Sequence, residues 1–159
     1  MLRLANIITF FVVILLTCST LAFADESVNI PILCYHNFNP VKPGSMNLTP
    51  NRFESQIKYL RDNGYTIIPL KDAVAYLQGK KSSLPPKSIV ITMDDGWESV
   101  HTYILPIAKK YNLPITLFIY PQTISEGKNA MTWEQLKEMQ QTGLFDIQSH
   151  TYDHPNFKQ

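Results

Sequence analysis

Two short stretches carry side chains able to do metal and acid–base chemistry. The first, Ile89-Val90-Ile91-Thr92-Met93-Asp94-Asp95-Gly96-Trp97, is a β-branched run that ends in two adjacent carboxylates and a glycine. The second, Ser149-His150-Thr151-Tyr152-Asp153-His154-Pro155, sets two imidazoles four residues apart, directly after a short apolar stretch. On one turn of helix, or a helical loop, that spacing aims both rings the same way, as in other two-histidine metal sites. Asp94 or Asp95 can supply a third, carboxylate ligand. Two histidines and a carboxylate with one position left open describe a catalytic rather than a structural metal site. The other aspartate is then available as a general base on water. Zinc suits these ligands best, and other divalent transition metals accept the same set. Taken singly, each motif is weak. Asp-Asp-Gly is ordinary turn chemistry, and a His-x3-His pair is most often a surface coincidence. Their joint position, each at the end of a predicted strand, is what points to a site.

The elements that must position these groups follow from apolar periodicity and turn residues. Asn29 to His36 reads as a first strand, and Asn37 to Leu48, with Pro40, Pro43 and Gly44, as a loop. Thr49-Pro50 opens a helix with a cap and a proline at its first position, Phe53, Ile57 and Leu60 line one face, and Gly64 stops it. Tyr65 to Ile68 is the second strand, Leu70 to Leu77 a short helix, and Lys80 to Lys87 a surface loop. Ser88 to Met93, the third strand, delivers the two aspartates. Ser99 to Tyr111 is helical, with Pro106 kinking it or opening its second half. Ile115 to Tyr120 is the fourth strand. Thr132-Trp133-Glu134-Gln135 is a capping box for a helix through Gln141, and Leu144 to Ser149 is the fifth strand. Alternation of strand and helix implies a parallel sheet with right-handed crossovers, either a barrel or a doubly wound sheet. In both, the C-terminal strand ends share one face, so His36, Asp94, Asp95 and His150 gather there. His36 reads equally well as a satisfied, partly buried histidine, and His101 as a solvated or packed helix residue. Trp97, Tyr120 and Trp133 read as core or wall, and Cys34, inside an apolar run, as a buried small hydrophobe.

The composition excludes several classes. A net charge of +1, with no basic run interleaved with aromatics, argues against a nucleic-acid partner. Hydrophobic residues at 45% and charged ones at 17% describe an ordinary globular chain rather than a disordered one. The N-terminus differs: Met1-Leu2-Arg3, an apolar run from Ile7 to Leu16, and Ala22-Phe23-Ala24 before Asp25 match a secretory signal peptide. Residues 1–24 are thus expected to be removed, leaving residues 25–159 as one domain, secreted or in the periplasm or cell envelope. The run is short for a membrane span, which needs about 20 apolar residues, so no stable span remains after cleavage. Cleavage also removes Cys18, and Cys34 then has no partner for an internal disulfide.

Thr92-Met93-Asp94-Asp95-Gly96 resembles the first motif of the polysaccharide deacetylases, the NodB-homology or carbohydrate esterase family 4 domain, and His150-Thr151-Tyr152-Asp153-His154-Pro155 their second. Pro31-Ile32-Leu33-Cys34-Tyr35-His36 and Leu60-Arg61-Asp62-Asn63-Gly64-Tyr65 resemble the secreted subgroup that includes poly-N-acetylglucosamine deacetylases. The resemblance implies an α/β fold, the distorted (β/α) barrel of that family, here incomplete with about five strands. It implies Asp94 as general base and Asp95, His150 and His154 as ligands of a divalent metal, most naturally Zn2+. The implied reaction is hydrolysis of N-acetyl groups from a polysaccharide containing N-acetylglucosamine, with release of acetate. Gln159 follows His154 by five residues, so the family's later motifs, with their arginine, acetyl-binding wall and histidine acid, are not in the sequence. The expectation is therefore weak or no deacetylation by residues 25–159 alone. A catalytically inactive relative that binds metal or glycan is the competing expectation.

Overall fold

The computed structural model describes residues 29–156; the expected signal peptide, residues 1–24, lies outside them. The molecule is built around β5 (Ser88–Asp94), in which Ser88 through Met93 are all buried and only the last residue, Asp94, is partly open. A run of β-branched and apolar residues with no polar alternation is what a strand covered on both faces requires. On one edge β5 pairs in parallel with β1 (Ile32–Tyr35), from Ile32 opposite Val90 to Tyr35 opposite Met93. β6 (Ile115–Ile119) pairs with its C-terminal half, from Thr92 opposite Thr116 to Asp94 opposite Phe118. β4 (Thr66–Ile67) pairs with its first two residues. β7 (Phe145–Ser149) then adds to β6, completing the order β1-β5-β6-β7 of a five-stranded parallel sheet with β4 beside β5. This is α/β architecture with a partial barrel, one of the two arrangements that alternating strands and helices allow.

The helices form where the local chemistry directs. α1 (Pro50–Asp62) has Thr49 as its cap, whose hydroxyl accepts from the Arg52 N–H at 3.3 Å, and Phe53, Ile57 and Leu60 are its buried face. α2 (Leu70–Leu77) covers the N-terminal part of β5 through Ala73, beside Ile68 and Val90. α3 (Leu105–Tyr111) carries Pro106 in its first turn and is preceded by a π-helical stretch, Val100–Ile104. The proline cannot donate to the preceding turn, and it sits where the wider helix hands over to the α-helix. α4 (Trp133–Gln141) begins with the expected box: Gln135 N–H donates to the Thr132 hydroxyl at 3.2 Å, and the Thr132 N–H donates to the Gln135 side chain at 2.8 Å. Between sheet and helices lie Phe53, Ile57, Ile91, Met93, Ile104, Leu117 and Met139, each essentially inaccessible to solvent.

Four expectations need correction. Asn37–Leu48 is not wholly a loop, because β2 (Asn37–Phe38) and β3 (Asn47–Leu48) form a short parallel ladder that folds Phe38 into the core. Cys34 is exposed, not buried. It lies on the face of β1 opposite the one that packs on the helices, and alternation along a strand gives neighbouring residues different environments. Trp133 is half exposed at the start of α4 rather than in the core. The segment from His150 to His154 is irregular, with no helical turn; the sheet and the neighbouring loop, rather than a helix, aim the two rings.

Tyr35, at the end of β1, stacks edge-on to Phe53 at 5.1 Å and donates its hydroxyl to Gln56 Oε1 at 3.0 Å. Burial pushes its phenol up from 10.0 to about 12. The folded chain then holds this proton where the unfolded chain has lost it. The resulting stability is fully present below pH 10 and is lost as pH rises to about 12. Chemical denaturation between these pH values is expected to show falling stability in the parent protein and a shallower fall in Tyr35→Phe; equal slopes would refute the assignment.

Candidate active site

The register of β5 decides which side chains meet. Cys34 lies opposite Thr92, and one step beyond the last β1–β5 pair brings His36 level with Asp94. Residues two apart on a strand share a face, so Cys34, His36 and Asp94 project to the same side. On the other edge Asp94 lies opposite Phe118, and Phe118 opposite Gln148, two residues before His150. The His150 N–H donates to the Ile119 carbonyl at 2.7 Å, carrying the ladder one residue past β7. The C-terminal strand ends therefore deliver His36, Asp94 and His150 to one face, as expected from the alternation of strands and helices.

Asp94 is the meeting point. Its Oδ2 accepts the Cys34 thiol at 3.2 Å and lies 3.9 Å from His36 Nε2 and 4.0 Å from His150 Nε2. Its side chain keeps 17% exposure, enough for solvent to reach the carboxylate. Desolvation pushes the Cys34 thiol above its ordinary value, the hydrogen bond to Asp94 and its charge push the same way, and a hydrogen bond with Thr92 pulls it down.

Asp95 points elsewhere because the backbone turns. It has φ 74°, and Gly96 has φ 75°. A Cβ on Gly96 would stand 3.0 Å from Ile124 Cδ1 and 3.3 Å from Ile119 Cγ2, so glycine serves both the turn and the close packing beneath it. The Trp97 indole N–H donates to Asp95 Oδ2 at 3.1 Å, while Oδ1 faces His150 Nε2 at 3.8 Å. The turn is tied to the loop before α4: Met131 N–H donates to the Gly96 carbonyl at 2.9 Å and Glu98 N–H to the Asn129 carbonyl at 2.8 Å.

His154 completes the group. Thr151 and His154 have φ 69° and 54°, and the His154 N–H donates to Thr151 Oγ1 at 3.0 Å. Its ring lies 4.7 Å from that of His150 and 5.4 Å from that of Tyr120. Donor atoms of Asp95, His150 and His154 all come within 4.8 Å of one another. Two imidazoles and a carboxylate with one oxygen already held by an indole fit a divalent transition metal. Beside Asp95, a cavity of about 200 Å3 is lined by Trp97, Tyr120, Thr123 and Lys128. His101 stays outside, paired with Glu138 at 2.9 Å on the surface. Sequence reasoning missed the Cys34–Asp94 and Trp97–Asp95 contacts. The first had a signal, since Cys34 and His36 are two apart on an extended segment; the second had none, because it depends on the turn.

The chain is similar to several known proteins. Residues 81–159 match the family model described as polysaccharide deacetylase. YxkH of Bacillus subtilis strain 168 is 37% identical over 131 residues, covering 82% of this chain and 45% of its own length. The poly-beta-1,6-N-acetyl-D-glucosamine N-deacetylase of Staphylococcus aureus strain MRSA252 is 34% identical over 114 residues, covering 69% of this chain and 39% of its own. Among solved structures, the Streptococcus pyogenes deacetylase PplD in complex with acetate aligns with a TM-score of 0.72 at 31% identity, over 83% of this chain and 60% of that one. The chain thus spans less than half the length of these two curated relatives. With its parallel partial barrel, the Asp-Asp-Gly turn and the His150–His154 segment at one face, the chain belongs to the polysaccharide deacetylase family.

Proposed function

We propose that the protein hydrolyses N-acetyl groups from a polysaccharide containing N-acetylglucosamine and releases acetate. The observation that carries this is the division between two adjacent carboxylates. Asp94 stays on the strand face with its side chain partly exposed, and Asp95 is turned to join His150 and His154. In this assignment Asp95, His150 and His154 hold a divalent metal, Zn2+ by ligand preference. The metal supplies Lewis acidity, which eases deprotonation of water and polarises an amide carbonyl. Asp94 accepts the proton of the attacking water. The Trp97 indole fixes Asp95 so that the same oxygen always faces His150. Trp97 and Tyr120, lining the cavity beside Asp95, offer flat apolar surface to a sugar ring. The choice of glycan class rests on the name of the Staphylococcus aureus relative.

The same proposal includes export, with residues 1–24 as signal peptide and residues 25–159 belonging to the deacetylase domain. No helix among the described residues is long and apolar enough to cross a membrane.

Acetate release from oligomers of β-1,6-linked N-acetylglucosamine is the direct test. A chelator is expected to abolish it and added Zn2+ to restore it. His154→Ala should lose zinc in dialysis. Asp94→Asn should keep zinc at Asp95, His150 and His154 while release falls about 10²- to 10⁴-fold, the usual contribution of a positioned base. Acetate release that is indifferent to chelation, or to Asp94→Asn, would overturn the assignment. Trp97→Phe keeps an aromatic side chain, though a smaller one, and removes the donor to Asp95. It is expected to weaken zinc binding about 10- to 100-fold, measured by competition with a chromogenic chelator; unchanged affinity would mean the indole bond does not position the ligand.

A further inference from the structure

The end of the sheet away from the site carries the opposite charge. Among the described residues, the last turns of α1 and α3 and the connection from α2 to β5 hold Arg61, Lys80, Lys81, Lys87, Lys109 and Lys110, against Asp62 alone. The loops at the site end hold Asp94, Asp95, Glu98, Glu126 and Asp153, against Lys42 and Lys128. Cations suit helix C-termini, which accounts for Arg61, Lys109 and Lys110, but Lys80 and Lys87 lie outside any helix. Lys81, Lys109 and Lys110 are paired with Asp72, Glu138 and Glu54. Arg61 and Lys87 instead donate to the carbonyls of Tyr111 and Asn63, at 3.3 and 3.0 Å, so their charges meet no carboxylate there.

Arg61, Tyr65, Tyr111 and Asn112 line a groove of about 310 Å3 at this end. Arg61 lies 5.6 Å from the centroid of the Tyr111 ring, and Lys87 5.6 Å from that of Tyr65. A guanidinium keeps further N–H donors after bonding one carbonyl, and so does an ammonium. Rings beside cations offer stacking surface to a sugar or polyol and charged donors to a phosphate. We propose that this groove binds a linear polyanion in which phosphodiesters alternate with sugars or polyols. The partly buried Tyr65 and Tyr111 rings suit a strand lying in the groove better than a flat membrane, which meets only protruding side chains. The charge difference between the two ends turns the basic end toward such a polymer and the site away from it. This binding does not rest on the deacetylase reading.

Calorimetric titration of the full-length chain with poly(glycerol phosphate) tests the groove. Binding is expected, and its affinity should fall as salt rises, because counterions are released on association. Arg61→Gln combined with Lys87→Gln should weaken it about tenfold or more. Lys42→Gln combined with Arg52→Gln removes the same charge at the site end and should change it less than about twofold. Arg61→Lys keeps the charge but loses the planar fork, and should weaken binding about threefold or more. Neutral oligomers of β-1,6-linked N-acetylglucosamine should not displace the polymer. No binding, indifference to salt, equal losses in the two double variants, unchanged affinity in Arg61→Lys, or displacement by the neutral oligomers would each overturn the proposal. Vesicles of phosphatidylglycerol that lose binding in Arg61→Gln/Lys87→Gln, with polymer binding unchanged, would assign this end to a membrane and overturn it as well.

Discussion

The structure depends on the parallel register of β5 against β1 and β6. β5 is buried on both faces, so a one-residue slip would exchange every residue between the helix-packed side and the side that bears Asp94. The apolar core thereby fixes the chemistry: Met93 and Ile91 must face the helices, which leaves Thr92 and Asp94 on the other side. His36 comes into place because β1 holds the same register, and His150 because β6 and β7 extend it. A catalytic group at a strand end needs no flexible loop to hold it. This is one reason that the C-terminal edges of parallel sheets so often carry sites.

Adjacent carboxylates that face different partners need a device to separate them. On a continuing strand, Asp95 would point to the helix side, among buried apolar groups. The positive φ of Asp95 and Gly96 ends the strand there and redirects the second carboxylate toward His150. A non-glycine residue at positive φ costs about 1 kcal/mol or more, which aspartate tolerates better than most. The backbone bonds from Gly96 and Glu98 to the 129–131 segment, together with the Trp97 indole bond, offset that cost by holding the turn in one geometry. The loop before α4 is therefore part of the site, although Asn129, Ala130 and Met131 bring no ionisable group to it.

The site draws on two groups of donors that differ in how they are supported. Asp95, His150 and His154 rely on a turn and an irregular segment, with aromatic rings of Tyr120 and Phe118 beside the imidazoles. Cys34, His36 and Asp94 rely on the sheet. The first group can adjust on binding a ligand more readily than the second, because backbone in ladders is costlier to move than backbone in loops. Asp94 joins them, so the electrostatic state of either group is felt by the other.

By itself the sequence determined the elements and the side they present. Strand and helix positions were legible in the spacing of Phe53, Ile57 and Leu60 and in the β-branched run before Asp94. The Thr49 and Thr132 caps were legible as well, because these signals are local: they arise from backbone propensity and from hydrogen bonds spanning three or four residues. The gathering of His36, Asp94, Asp95 and His150 was also legible, since parallel order alone sends strand ends to one face. What only the tertiary structure decided were contacts between residues distant in sequence whose geometry depends on register and turns. Cys34 looked buried because its neighbours are apolar, but burial is set by what covers a face, which no neighbouring residue encodes. The histidine pair looked helical because its spacing matches a helical turn, but the turn at Thr151 and the ladder bond of His150 gave it another path. Local interactions write themselves into sequence; the different directions taken by the Asp94 and Asp95 side chains are set by the turn and the packing beneath it.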